Sequence, residues 1–355
     1  MNSWKIILFP FAWIYGLAIR FRHWLFHLGV LKSTTFNIPM IGVGNLSLGG
    51  TGKTPFVEYL IRMFSDNYKV SVLSRGYGRK TKGFLFGNQY SSHTDIGDEP
   101  MQYLRKFEGK VKVAVDEDRV DGVKNLTEDD ANLELILLDD VFQHRYIQPG
   151  LSILLTDIHK LYNEDYLLPV GGLRDVVAQA RRADIVVVTK TNKVLSPITK
   201  RRVKHVLNLL PHQSLYFSYI TYGKAIPFVE DSKYKWVNQV RTIVMFAGIA
   251  NSYPFQEYLR DLCTELIVLD YPDHYQFKRK DLEHIRKTFE DTFAGNKILV
   301  TTEKDAMRLL NSDYFSELKN LPLFYIPIEM KMHGLDETNL SNQLKKYVEE
   351  NSRNG

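Results

Sequence analysis

From residue 38 onward, short apolar runs rich in β-branched residues alternate with amphipathic stretches of helical spacing. The runs predict buried strands and the stretches predict helices, so this alternation indicates a parallel α/β sheet. The clearest predicted helices cover residues 55–64, 175–182 and a basic stretch from about 197 to 210. The predicted strands are 38–43, 69–74, 112–115, 135–139, 151–156, 184–189, 214–222, 242–246, 265–269, 297–300 and 323–326.

The alternation is interrupted once, by a polar loop that contains Pro227 and residues 230–232, and then restarts. A chain of 355 residues has room for two cores at about 150 residues each. We therefore predict four segments. These are an N-terminal helix over 1–32, a larger α/β domain over 33–228, a smaller α/β domain over 229–348 and a frayed tail over 349–355.

The N-terminal 32 residues contain no Asp or Glu, and their apolar run, 6–19, is interrupted only by Pro10 and Gly16. This run is too short to span a bilayer, which needs about 20 residues. The aromatic and cationic residues that follow it suit the headgroup boundary of a membrane. We predict a monotopic membrane-associated helix; a helix packed on the protein's own core is the alternative.

Composition narrows the function classes. The net charge of +5 is mild and includes no long basic run, which argues against a nucleic-acid partner. The single cysteine, Cys263, excludes an intramolecular disulfide and fits a reducing compartment. No feature of the sequence indicates an obligate protein partner.

Residues 41–55, IGVGNLSLGGTGKTP, join an apolar strand to a helix through a glycine-rich loop. Backbone N–H groups of such a loop converge on phosphate, and the helix N-terminus adds partial positive charge. Lys53 is expected to reach the terminal phosphates and Thr54 to bind Mg²⁺. A structural glycine turn is the alternative, since Ser47 replaces the usual first glycine. The predicted nucleotide-binding residues are Ser47, Gly49, Gly50, Thr51, Gly52, Lys53 and Thr54.

The run 133–140, LELILLDD, is an apolar strand that ends in Asp139 and Asp140. In a phosphate-loop protein a carboxylate at this position holds Mg²⁺. A solvated turn is the alternative. Because neighbouring side chains point to opposite sides of a strand, we expect one of the two acids to dominate the metal contact. ATP and Mg²⁺ are therefore the predicted cofactors.

Two further strand ends are polar. Residues 73–79 carry two arginines between glycines, which suits an anion clamp. Residues 95–100 place acids beside Pro100, and on spacing alone a helix cap and a functional role are equally supported.

Seven segments now make the chain recognisable: NLSLGGTGKTP, LSRGYGR, GDEP, LLDDVFQHR, LLPVGGLRD, YPDHYQF and TTEKDAMRL, in this order from Asn45 to Leu309. Together they resemble the tetraacyldisaccharide 4′-kinases of lipid A biosynthesis, a family that also carries Ser at the first glycine position. The resemblance implies transfer of the γ-phosphoryl group of ATP to the 4′-hydroxyl of a tetraacylated glucosamine disaccharide 1-phosphate. It also implies a location at the cytoplasmic face of the bacterial inner membrane.

Matching positions carry the family's roles over to this chain. Asp98 resembles the residue that takes the acceptor proton, His274 the histidine that supports it, and Lys53 the phosphate-binding lysine. Thr54, Asp139 and Asp140 match the magnesium site. Because Asp98 and His274 fall in different predicted domains, domain closure would be a precondition for chemistry. The positions that match the substrate and phosphate cleft are Arg75, Glu99, Arg119, His144, Arg174 and Asp175.

Two residues depart from the family pattern, and one rival function remains. Val141 replaces a glycine, so the local backbone is expected to differ. Tyr275 replaces a second histidine, which leaves the role to His274.

The rival function is a membrane-peripheral phosphate-loop GTPase or ATPase that acts as a switch. Residues 189–192, TKTN, faintly match a guanine-binding motif, but Asn192 replaces the acid that guanine requires. A non-catalytic scaffold is opposed by the intact Lys53 and the acid pair.

Overall fold

The computed structural model describes residues 7–229, 234–236, 240–273, 275–293, 295–310 and 314–352. Their strands, in chain order, are β1 (Met40–Asn45), β2 (Val70–Ser74), β3 (Leu85–Phe86), β4 (Val111–Val115), β5 (Leu135–Leu138), β6 (Leu151–Asp157), β7 (Ile185–Thr189), β8 (Ser214–Tyr222), β9 (Ile226–Pro227), β10 (Val240–Ala247), β11 (Cys263–Asp270), β12 (Lys297–Thr302), β13 (Leu323–Ile326) and β14 (Ile328–Met332).

The helices are α1 (Phe9–His27), α2 (Lys53–Phe64), α3 (His93–Ile96), α4 (Asp98–Lys106), α5 (Arg119–Asp129), α6 (Pro197–Leu207), α7 (Tyr253–Arg260), α8 (Arg279–Asp291), α9 (Glu303–Leu310) and α10 (Leu335–Asn351). Short 3₁₀ helices cover Tyr162–Glu164, Val177–Arg182 and Phe315–Glu317.

The strands form two sheets. The larger has the order β14-β8-β7-β6-β1-β5-β2-β4-β3, in which the strands from β8 to β4 run parallel and the two edge strands run antiparallel. The smaller has the order β11-β10-β12-β13-β9, parallel except for β9. Because β1 lies between β5 and β6 while β2 lies beyond β5, the strand order reverses direction beside β1. Ligands of open α/β sheets bind at the carboxyl ends of strands at such a point.

Helices cover both faces of each sheet. On one face of the larger sheet α2 and α10 bury Phe56, Leu60, Leu340 and Leu344 against β1. On the opposite face α5 and α6 pack into two further clusters. In the smaller sheet α7 covers one face and α8 the other. Strands buried on both faces read as continuous apolar runs, which is why the sequence pattern located them well.

The predicted α/β class is confirmed, and the eleven predicted strands lie within a few residues of observed ones. The stretch 175–182 is a 3₁₀ rather than an α-helix over Val177–Arg182, and α6 ends at Leu207 because Asn208 adopts φ 44°. Strands β3, β9 and β14 were not predicted. They are short edge strands; β3 and β9 have no buried residue, and in β14 only Met330 and Met332 are buried, so the apolar signal is weak.

The predicted division at 228/229 stays a prediction, and the two sheets do not follow it. Strand β9, before that boundary, pairs with β13 of the smaller sheet. Strand β14 and helix α10, after it, return to the larger sheet. The chain thus passes to the smaller sheet and back, and its C-terminal helix helps to complete the first core.

Helix α1 carries a stripe of exposed apolar side chains on the face opposite to its buried Ala12, Gly16, His23 and Phe26. The spacing of three to four residues keeps the stripe on one side of the helix. Among the described residues, no helix is both long and apolar enough to cross a membrane. The members of this stripe are Ile7, Phe11, Ile14, Leu17, Phe21, Trp24 and Leu28.

Candidate active site

The glycine-rich loop connects β1 to α2, as the sequence pattern predicts. Gly52 is the N-cap of α2 and adopts φ 85°, a left-handed conformation that a residue with a side chain would adopt only under strain. The loop is held from outside, since the Leu48 N–H donates to the Gly172 carbonyl at 2.6 Å and Ser47 bridges to Leu173. The Thr51 carbonyl accepts from the Thr189 hydroxyl at 2.8 Å. The loop is therefore fixed in place before any ligand arrives.

Asn45, the last residue of β1, connects the polar side chains around this loop. Its amide nitrogen donates to the Thr51 hydroxyl at 2.8 Å, and its Oδ1 accepts from the Lys53 ammonium at 3.5 Å. The Arg174 guanidinium also donates to Oδ1. Asn45 thus holds the loop lysine and a distant arginine at one strand end.

Asp140 lies directly beside this cluster. Both of its carboxylate oxygens accept from Arg174, at 2.6 and 3.1 Å, and Oδ1 lies 3.7 Å from the Lys53 Nζ. Burial works to raise the pKa of Asp140, but the positive charges of Lys53 and Arg174 outweigh it and hold that pKa at about 2. Two cations and one carboxylate at a phosphate loop leave net positive charge for a triphosphate.

Asp139 has a different environment, because it is buried beneath the loop. Its Oδ2 accepts from the Ser74 hydroxyl at 3.3 Å and from the Tyr103 hydroxyl at 3.2 Å. Its Oδ1 is buried and has no hydrogen-bond partner among the described residues. Burial, helped by the nearby charges of Glu99 and Asp140, raises the pKa of Asp139 to about 7. An unpartnered buried carboxylate oxygen fits a cation ligand, since leaving such an atom unsatisfied is costly.

The Val141 substitution is explained by the backbone. The residue in the left-handed region is Asp140, with φ 49°, and Val141 is not among the residues with positive φ. Val141 is 4% exposed and its N–H donates to the Val43 carbonyl at 3.1 Å. The local strain is carried by an aspartate, a residue type that tolerates it better than a β-branched one.

Three predicted substrate residues, Arg119, Arg75 and His144, lie near one another and near Asp140. Arg119 is fully buried and donates to the backbone carbonyls of Asp116 and Asp139. Arg75 is exposed at the end of β2. Burial and the positive charges of Arg119 and Arg75 lower the pKa of His144 to about 4, so His144 is neutral at neutral pH.

Asp98 is the first residue of helix α4, whose Tyr103 packs in the core of the larger sheet. Gly97 before it has φ 94°, and a Cβ at that position would lie 2.9 Å from the Tyr77 carbonyl oxygen, so the motif requires glycine there. The Arg308 Nε and Nη2 atoms donate to Asp98 Oδ2 at 3.0 and 2.8 Å. Asp98 and Glu99 border a cavity of about 530 Å³ that also reaches Thr54. His274 lies outside the described residues.

Tyr275, next to His274, packs within the smaller-sheet core. Its hydroxyl donates to Asp281 at 3.1 Å, and its ring contacts Tyr271 and Phe277. It therefore serves the core of that sheet.

Asp175 lies away from the phosphate loop and connects the site to α1. Its Oδ1 accepts from His23 Nε2 at 2.7 Å, and the opposite ring nitrogen of His23 accepts from Arg145 at 3.0 Å. The Tyr15 hydroxyl of α1 donates to the Arg174 carbonyl at 3.0 Å. Helix α1 is thus joined to the two segments, 139–145 and 173–175, that carry site residues.

Sequence reasoning missed four residues of this arrangement. Asn45 and Tyr103 hold predicted site residues, Arg308 contacts Asp98, and His23 contacts Asp175. Asn45 was detectable as a polar residue at the end of an apolar strand. The others act across 36 to 210 residues of sequence, and no local pattern reports such a pairing.

A phosphate loop, an acid pair at the end of the adjacent strand, and a cavity bordered by Thr54 of the loop and by Asp98 and Glu99 of α4 together define a P-loop phosphotransferase. The family of tetraacyldisaccharide-1-P 4′-kinases matches residues 4–349, and the chain belongs to that family. It is 41% identical to the tetraacyldisaccharide 4′-kinase of Bacteroides thetaiotaomicron, over 98% of this chain and 94% of that one. It is 42% identical to the enzyme of the same description from Flavobacterium johnsoniae, over 99% of both chains.

The fold is also that of a solved relative. The crystal structure of LpxK from Aquifex aeolicus in complex with ATP is similar with a TM-score of 0.72 and 29% identity, covering 98% of this chain and all of that one. These comparisons favour an ATP-dependent kinase over the GTPase interpretation of residues 189–192. In the structure Lys190 of that segment pairs with Asp157 at 2.8 Å.

Proposed function

We propose that this protein transfers the γ-phosphoryl group of ATP to the 4′-hydroxyl of a tetraacyl glucosamine disaccharide 1-phosphate, a lipid A precursor. The observation that carries the proposal is that Thr54 of the phosphate loop and Asp98 of α4 border the same cavity. Phosphoryl transfer needs a donor phosphate and an acceptor hydroxyl in line, and this arrangement provides one side for each. Membership of the kinase family supports the same reaction.

On the donor side, the loop residues Ser47, Gly49, Gly50, Thr51 and Gly52 would hold the phosphates. Lys53 and Arg174 would neutralise the charge that develops on the transferred group, a contribution of several kcal/mol in a preorganised site. The remainder of the cavity, lined by Tyr222, Phe255 and other residues between the two sheets, has the volume and apolar character for the nucleoside.

Magnesium fits beside the acid pair. Thr54, Asp139 and Asp140 would hold it, and the unpartnered Oδ1 of Asp139 is the atom that favours this assignment. When bound, the ion neutralises phosphate charge. Asp140, already ionised between Lys53 and Arg174, keeps those two cations oriented toward the loop.

On the acceptor side, Asp98 would take the proton of the 4′-hydroxyl as that oxygen bonds to the γ-phosphorus and the bond to the β-phosphate oxygen breaks, releasing ADP. We assign His274 as the residue that supports Asp98. Arg75, Glu99 and His144 would contact the sugar or its phosphates. Arg119 and Asp175 are buried and would hold these contacting residues in place.

We also propose that the apolar stripe of α1 rests on the membrane surface, where the lipid acceptor resides. ATP is cytoplasmic, so the enzyme would work at the cytoplasmic face of the bacterial inner membrane. The support is the spacing of the exposed side chains together with the cations that follow them.

The test is radiolabelled ATP with a disaccharide 1-phosphate lipid in detergent. Label transfer to the lipid is expected for the wild type, and Asp98→Asn should lower turnover by roughly 10²–10⁴ with ATP affinity retained, because a general base is lost. Acceptor-independent hydrolysis specific for GTP would contradict the kinase. Lys346→Gln, an exposed change on α10 outside the site, is the matched control.

A further inference from the structure

Arg308 of α9 joins the smaller sheet to Asp98 at the start of α4. Its Nε and Nη2 atoms both donate to the same oxygen, Asp98 Oδ2, at 3.0 and 2.8 Å. Arg308 is buried and the Asp98 side chain is 17% exposed, so the pairing is largely shielded from bulk water. A charge-assisted pair of this kind is stronger and better oriented than a neutral hydrogen bond.

The guanidinium is held on its other side by the smaller sheet. Its Nη1 donates to Asp305 Oδ1 at 3.0 Å and to the Gly248 carbonyl at 3.2 Å. Asp305 is itself fixed, since its Oδ2 accepts from the Thr302 hydroxyl at 2.7 Å and from the Gly248 N–H at 2.9 Å. The ends of β10 and β12 therefore determine where the arginine lies.

Other charges also surround this carboxylate. Lys304, one turn earlier on α9, interacts electrostatically with Asp98, Glu99 and Asp273, and its pKa is lowered mainly by burial and then by Arg308. Arg308 makes two direct hydrogen bonds to Asp98 and is oriented by two anchors on the smaller-sheet side, Asp305 and the Gly248 carbonyl. It is therefore placed to set the direction of the carboxylate.

We propose that Arg308 is a positioning residue for phosphoryl transfer: it holds Asp98 ionised and oriented toward the acceptor hydroxyl. This inference rests on the proposed role of Asp98 as proton acceptor. Both of these guanidinium bonds use Oδ2 of Asp98. A nearby cation favours the charged form of a carboxyl group, which is the form that accepts a proton. Since the anchors of Arg308 belong to the smaller sheet, the base is set only when the two sheets are together.

The test is the pH dependence of kcat/KM for lipid phosphorylation by Arg308→Gln. Loss of an adjacent cation raises a carboxyl pKa by about one to three units. The acid limb, which is the part of the profile where kcat/KM falls toward low pH, should therefore shift to higher pH by the same number of units. The loss of turnover is then on the order of 10–10³-fold at pH values below the wild-type acid limb and vanishes above the shifted limb, with KM for ATP unchanged. Millimolar guanidinium should partly restore Arg308→Ala. A merely structural arginine would produce neither the pH-dependent loss nor the rescue.

Arg286→Gln is the matched control, since it removes an arginine of the same sheet that pairs with Glu317 at 2.7 Å; its profile should equal that of the wild type. An unmoved acid limb in Arg308→Gln, without guanidinium rescue, overturns the proposal even where Asp98→Asn is inactive. Near-normal turnover of Asp98→Asn instead removes the proposed base, and the inference with it. If Arg308→Gln does not fold, Arg308→Lys replaces it: the retained charge should leave the acid limb in place while loss of the double hydrogen bond lowers kcat, and wild-type kcat in that variant overturns the positioning role.

Discussion

At the scale of single residues, the two adjacent aspartates after β5 show how strongly position decides chemistry. Asp140 is held ionised by Lys53 and Arg174, whereas Asp139 is buried with an unpartnered oxygen. Their pKa values are about 2 and about 7. The surroundings therefore favour the charged form of Asp140 and the neutral form of Asp139, although the two residues are adjacent.

This difference predicts opposite effects on stability. The folded state keeps a proton on Asp139 between about pH 4, its ordinary pKa, and pH 7, where the unfolded chain has released it, so its contribution falls as pH rises through that window. Asp139→Asn should raise the melting temperature of the metal-free protein at pH 8 and much less at pH 5. The lowered pKa of Asp140 contributes stability above about pH 4 that is lost only toward pH 2, so Asp140→Asn should lower the melting temperature at both values.

Thermal unfolding in the presence of EDTA at the two pH values measures both variants. The two variants serve as controls for each other, because each removes one carboxylate at the same strand end. Equal shifts for the two variants, or shifts that do not depend on pH for Asp139→Asn, would contradict the assignment of a proton to Asp139.

At the scale of elements, α1 has two faces with different tasks. One face packs Phe26 and His23 on the site segments, and the other exposes the apolar stripe. Apolar side chains that stay exposed at helical spacing contribute little to the stability of the isolated protein, so they can be changed without unfolding it.

We therefore expect the combined variant Phe11→Ser, Ile14→Ser and Trp24→Ser to lose binding to anionic phospholipid vesicles, with a melting temperature close to that of the wild type. Vesicle sedimentation measures the binding. Phe293→Ser, fully exposed on the smaller-sheet side, is the control and should bind normally. Undiminished sedimentation of the combined variant would move the membrane contact elsewhere.

A second element-scale feature is the junction of α2, α4 and α9. Lys106 lies 2.8 Å from both Glu58 and Glu303, and Gln102 donates to the same two carboxylates at 2.7 and 3.3 Å. Lys106 thus pairs with both buried acids, and Arg62 also lies 3.6 Å from Glu58. Burial, and then the charge of Glu58, raises the pKa of Glu303 to about 7. The phosphate-loop helix α2 is thus joined to α9 of the smaller sheet through Lys106, which bridges Glu58 and Glu303.

Lys106→Met should destabilise the protein by about 3–5 kcal/mol at pH 8, because it removes the cation that pairs directly with the buried Glu303 and leaves Glu58 with Arg62. The loss should shrink at pH 5, where the carboxyl groups can take up protons. Chemical denaturation at the two pH values measures it. Lys110→Met, which removes only an exposed pair with Asp66, should cost about 0–1 kcal/mol at either pH. Equal losses for the two lysine variants would show that the junction contributes no special stability.

At the scale of the whole molecule, the two sheets meet across the proposed site. The pairs Arg308–Asp98 and Lys106–Glu303 join them, and the cavity of about 530 Å³ lies between them. A site divided between two sheets couples chemistry to their relative position, which limits transfer of phosphate to water.

Closure of the two sheets on a bound nucleotide stays a prediction, and a distance between labels on the two sheets can test it. In a Cys263→Ser background, spin labels at Tyr90→Cys and Phe293→Cys report the separation of the two sheets, since both positions are exposed. A non-hydrolysable ATP analogue with Mg²⁺ should change the distance distribution. Lys53→Ala measured with the same analogue is the control, because this variant loses a phosphate contact. An unchanged distribution in the wild type would contradict closure.

Much of this architecture was accessible from local pattern. The buried strands and the phosphate-loop helix were located because their apolar periodicity is set by neighbours in sequence. The edge strand β14 and the return of α10 to the larger sheet were not, because they depend on partners more than 100 residues away. The same holds within the site, where the loop residues were identified but Asn45, Tyr103 and Arg308 were not.

By itself, then, the sequence determined the α/β class, the phosphate loop with Lys53 and Thr54, and the acid pair, because each is specified by residues adjacent along the chain. Only the tertiary structure decided which aspartate is paired and which is buried, since those environments come from Arg174, Tyr103 and Glu99. It also decided that Asp98 is held by an arginine 210 residues away. Charges and burial are properties of what surrounds a residue in space, and spacing along the chain does not report them.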